Sequence, residues 1–134
     1  MLIREYSESD LDALRSMHAR QGFDYPFPDL ADPIFVSKIV VEDESSRPVM
    51  ASLARLTCEM YLLAEPGEGK PRERFDRLLA LHAAGERDLL ARGLDDAHAW
   101  IPPRIAARFG RRLQSLGWIR DDAWTPYCRR LTDR

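Results

Sequence analysis

A chain of 134 residues, 45% hydrophobic and 31% charged, suits one globular domain built around one core. Its formal net charge of -2 gives no reason to expect a polyanion, so no nucleic-acid partner is expected. No apolar stretch approaches the ~20 residues that span a bilayer, and the first residues lack the apolar run of a signal peptide, so the expectation is no membrane and a cytoplasmic location.

Residues Leu2 to Tyr6 read as a short first strand. Ser7 is placed to cap a helix, with Asp10 as the capping-box acid three residues on. Leu11, Leu14, Met17 and His18 then recur at helical spacing, and Gly22 marks the stop. Asp24 to Pro33 carries Pro26, Pro28 and Pro33 among aromatic residues, which excludes a regular helix or inner strand. Phe35 to Glu42, rich in Val and Ile, reads as a strand, and Glu44 to Pro48 as a turn. Val49 to Ala64 keeps a strand-like pattern well beyond the usual ~5–6 residues, which predicts two strands divided near Thr57 and Cys58.

Pro66 to Lys70 is the clearest break. Pro71 opens a long helix with Phe75, Leu78, Leu79, His82, Leu89 and Leu90 as its apolar stripe, ended by Gly93. Asp95 to Ile101 alternates as a short strand. Pro103 begins a last helix with Ile105, Phe109, Leu113 and Leu116 on one face and Gly117 after it. Trp124 to Leu131 reads as a closing strand, with Pro126 confining it to an edge or a bulge. Antiparallel-looking strands feeding a helix–strand–helix–strand end predict an α/β (α+β) fold: a mixed, mostly antiparallel central sheet flanked by helices on both faces.

Cys58 and Cys128 have no zinc-site spacing, so no metal is expected, and two thiols make no disulfide framework. Of the 20 basic residues only Lys38 and Lys70 are lysine, a skew that a biased genome would produce. Arg104, Arg108, Arg111 and Arg112 line one side of the last helix as a solvated face.

The element order resembles the GNAT acetyltransferase superfamily along the whole chain. The most specific local match is Phe109 to Trp118, which is similar to the family pattern N-x-x-A-x-x-x-Y-x-x-x-G-F: Gly117 and Trp118 stand at its final pair, and Ala106, Phe109 and Leu113 at its Asn, Ala and Tyr. At the family's pyrophosphate loop, Q/R-x-x-G-x-G/A, Lys70 takes the first place, while Glu73 and Phe75 occupy the glycine places. The upstream Gly67-Glu68-Gly69-Lys70, with Arg72 and Arg74 in the helix's first turn, supplies an alternative set of N–H groups and positive charge for phosphate.

The resemblance implies transfer of an acyl group from acetyl-CoA, as co-substrate, to a small-molecule or peptide amine. It implies Glu59, on the fourth strand, as general base and the backbone N–H groups of Met60, Tyr61 or Leu62 as donors to the thioester oxygen. His98, on the fifth strand, is a second base, and Tyr127 stands in for the absent tyrosine acid. Each has a plainer alternative: a solvated Glu59, an outward-facing His98 and a Tyr127 that fills the core. His82 reads as a core histidine, and His18 has no evident partner. The alternative function is a GNAT-like domain that binds no cofactor and serves as an interaction or scaffold protein.

Overall fold

The structure, a computed structural model, describes residues 1–132. It is a mixed α/β arrangement: β1 (Leu2–Glu5), a 3₁₀ turn (Glu8–Asp10), α1 (Leu11–Gln21), β2 (Phe35–Glu42), β3 (Pro48–Arg55), β4 (Cys58–Glu59), α2 (Pro71–Ala91), β5 (Ala97–His98) and α3 (Pro103–Ser115). Both pairing senses occur: β1, β2 and β3 form an antiparallel sheet, and β4 pairs with β5 in parallel. The central sheet is thus smaller than its sequence suggests, since β4 joins β5 and not β3. No helix among the described residues is long and apolar enough to cross a membrane.

Two sequence expectations are corrected. The closing strand does not form: residues 119–132 contain no strand, and Pro126, in the middle of the segment, has no N–H to give a ladder. The strand foreseen over residues 95–101 shrinks to Ala97–His98.

Contacts within the chain divide it into two compact units, Met1–Glu59 with Leu89–His98, and Met60–Asp88 with the residues from Ala99 onward. In the first, α1 packs on the antiparallel sheet, and Leu14, Leu30, Ile34 and Val40 form the buried apolar core. Each such side chain contributes roughly 1.5–3 kcal/mol by leaving water. The capping box is present: the Asp10 carboxylate accepts from the Ser7 N–H at 2.9 Å. The same carboxylate takes both ends of the Arg4 guanidinium, at 2.7 and 2.8 Å, and Arg4 Nε donates to Glu42 at 2.7 Å. This cluster ties β1, the 3₁₀ turn and β2 together around a buried acid. Lys38 closes the proline-rich loop by donating to the Leu30 carbonyl at 2.7 Å and lies 5.3 Å above the Tyr6 ring.

In the second unit, Phe75, Leu78 and His82 of α2 and Phe109 and Leu113 of α3 are half-buried, while Leu79 and Ile105 of the predicted stripes stay exposed. Trp118 Nε1–H donates to His82 Nε2 at 2.9 Å, and the rings meet edge to face. That bond requires a lone pair on Nε2, so His82 sits there as a neutral imidazole carrying its proton on Nδ1. The Arg112 guanidinium lies 5.8 Å above the Phe75 ring.

Candidate functional site

A second polar cluster of the first unit gathers where β4 and β5 meet. Their ladder contains only Cys58 opposite Ala97 and Glu59 opposite His98. Register partners in a ladder point to the same face, so Glu59 and His98 leave it side by side. Both are exposed. These two candidate bases lie 39 positions apart in the sequence, and the parallel pairing brings them together.

Arg55, at the end of β3, fixes the turn that leads into β5. Its guanidinium donates to Asp95 at 2.8 Å and to Asp96 at 2.7 Å, and Asp95 foremost among these partners raises its pKa. Asp96 in turn lies 3.7 Å from His98 Nε2, and its carbonyl accepts from the Cys58 thiol at 3.5 Å. Asp96 is therefore shared between the Arg55 guanidinium and the His98 imidazole. Chemically, the arrangement offers two proton acceptors on one face, one of them backed by a carboxylate.

The glycine-rich loop belongs to the second unit, and its groups are already engaged. Gly67 and Gly69 have φ of +73° and +81°, the left-handed region that glycine enters freely. A Cβ on Gly69 would lie 3.0 Å from Arg77 Nη1 and 3.3 Å from Glu73 Oε2, the ends of flexible side chains, so the backbone angle sets the demand for glycine here. The Lys70 N–H, however, donates to Glu73 Oε2 at 2.9 Å, and the Arg74 N–H bonds the Lys70 carbonyl at 2.9 Å. Glu73 thus caps the helix from its third position, the carboxylate half of a capping box. Arg74 Nη1 donates to the carbonyls of Glu65 and Glu68, each at 3.0 Å. In this conformation the loop does not fit a pyrophosphate: a carboxylate holds one of its N–H groups, and carbonyl oxygens hold Arg74. Lys70 and Arg72 are exposed, as are Tyr61 and Leu62, with Met60 half-buried. Residues 60–65 carry no regular structure.

Tyr127 is 93% exposed, so it neither fills a core nor stands on a strand. Arg55, Asp95 and Asp96 were not foreseen as site residues. The only local signal was the acidic pair just before a short strand, and its arginine lies forty residues upstream. Among the described residues, no group of histidine, cysteine and acid suits a metal ion. No family model, curated protein or solved structure matches this chain.

Proposed function

We propose that the chain is a divergent GNAT-like domain that transfers an acyl group from acetyl-CoA to the amine of a small molecule or peptide. The observation that carries this reading is the parallel β4–β5 pair, which follows the order strand, long helix, strand and ends after one step with Glu59 beside His98. An amine must lose a proton to attack a thioester, and either side chain is able to take it. The helix–Gly117–Trp118 pattern and the element order add the family resemblance; fold likeness by itself does not fix chemistry. Binding of the co-substrate is expected to be weak, because Glu73 must release the Lys70 N–H before phosphate reaches it.

Thermal unfolding tests this. With a dissociation constant on the order of 100 μM, millimolar acetyl-CoA adds about 1.4 kcal/mol of stability and raises the melting temperature by a few degrees. An unchanged melting temperature at millimolar acetyl-CoA favours the second reading, a GNAT-like interaction domain without cofactor. One observation supports that alternative: Glu73 and Arg74 spend their polar groups on the loop itself.

A further inference from the structure

The antiparallel sheet ends at β3, whose ladder partner among the described residues is β2. The direction of its backbone groups is fixed from the other side of the sheet. Just past β1, the Tyr6 N–H donates to the Lys38 carbonyl at 3.0 Å, so Lys38 turns its N–H and C=O toward β1. Successive residues of a strand alternate, and the register runs unbroken from Lys38 to Val41. Ile39 and Val41 therefore bond β3 through Ser52 and Met50. Ala51 and Leu53 alternate with these and point their N–H and C=O groups away from β2, where no hydrogen bond among the described residues takes them up.

Sheets commonly blunt such an edge with charge, proline or a bulge. Here Pro48 and Arg55 stand at the two ends of the strand, and the register shifts of the β2–β3 ladder lie near its ends as well. Between them, Val49 to Ala54 carries no charge, and Val49 and Met50 are 42% and 65% exposed. Ala51 and Leu53 also border an open groove of about 600 Å³, with Leu14, Met17 and Phe35 on its other sides. The middle of β3 is thus an unprotected edge.

We propose that β3 pairs edge to edge with β3 of a second copy, joining two three-stranded sheets into one across a two-fold axis. An antiparallel pair is self-complementary about such an axis. With Ala51 opposite Leu53 of the second copy, the outward N–H and C=O groups of both residues meet as four hydrogen bonds. Ser52 then faces Ser52 of the second copy on the axis, and Arg55 lies opposite Val49. No like charges meet, and Arg55 is already matched within its own copy by Asp95 and Asp96. Paired residues share a face, so the two grooves adjoin along the seam. One strand edge falls short of the ~1,600 Å² of a standard interface, so the dimer is expected to be weak and concentration-dependent. The pairing uses none of the groups of acyl transfer.

Sedimentation of the full chain from micromolar to millimolar concentration tests the proposal, with hydrogen exchange at the Ala51 and Leu53 amides as the local readout. The expected result is a monomer–dimer equilibrium in which these two amides gain protection as dimer forms. Ser52→Lys and Ser52→Glu each set like charges opposite one another on the axis and are expected to weaken the dimer roughly fivefold or more. Ser52 is exposed, so neither change disturbs the core. An equimolar mixture of the two variants is expected to regain wild-type affinity, since a lysine then faces a glutamate. The proposal is overturned if wild type stays monomeric at millimolar concentration, or if a dimer forms that both variants leave unchanged. It is also overturned if the two amides are protected in the monomer, because a segment of the same chain then holds the edge. The wild-type measurements need no variant to fold.

Discussion

Replacing Glu59 with glutamine is expected to slow acetyl transfer to an amine by ~10²–10⁴-fold, the usual loss when a general base is removed. Glutamine keeps the length and a hydrogen-bonding amide but cannot take a proton at neutral pH. Glu59 is exposed at the end of β4, so the fold does not depend on its charge and a slower variant reports on chemistry. His98→Ala is the paired experiment, because His98 is the register partner of Glu59. A loss confined to Glu59→Gln assigns the base to β4. A loss confined to His98→Ala moves it to β5, where Asp96 lies 3.7 Å from the imidazole. Initial rates on an amine panel across pH separate these outcomes, and equal rates for wild type and Glu59→Gln clear Glu59 of the role.

Asp10→Asn is expected to cost about 2–3 kcal/mol of stability, because one buried carboxylate serves Arg4 twice and the Ser7 N–H once. Its side chain is 4% exposed, so water does not replace what is lost. The two-fold bond from Arg4, with help from the Ser7 N–H and against the opposing effect of burial, holds its pKa down at about 2 from the ordinary 3.8. A carboxyl that is more acidic when folded contributes stability above the unfolded value. That contribution, on the order of 2 kcal/mol, fades as pH falls from about 4 towards 2. The difference in unfolding free energy between wild type and Asp10→Asn, measured by denaturant titration, is therefore expected to be full at pH 7 and to shrink below pH 4. A difference that is absent at pH 7, or constant down to pH 2, would show that the ion cluster is not what stabilises this corner.

These two sites were unequally legible in the sequence. Ser7 and Asp10 announce themselves by a spacing of three, and capping is a local affair of backbone N–H groups. The same locality made α1, α2 and α3 readable from their apolar period and their glycine stops. β2 and the division of β3 from β4 near Thr57 also emerged from local composition. Arg55 with Asp95 and Asp96 was not readable, since nothing local to any of them specifies a partner forty residues away. The segment around Trp124 has strand-like side chains, yet a strand is made by a ladder to a neighbour, and the described residues of this segment form no strand. Glu73 was legible only as an acid in a place where phosphate would be repelled. Its spacing of three from Lys70 was the available sign that it caps the helix, and the structure uses it so.

The family reading, the weak co-substrate and the occupied loop meet at Glu73, and calorimetric titration of acetyl-CoA into wild type and Glu73→Gln tests them together. Glutamine removes the negative charge beside the Lys70 N–H while retaining an oxygen able to cap the helix. The expected result is weak, saturable binding to wild type that tightens roughly tenfold in Glu73→Gln, the effect of lifting one like-charge contact. The contradicting result is no heat of binding to either protein at millimolar acetyl-CoA, which would remove acyl transfer from the account.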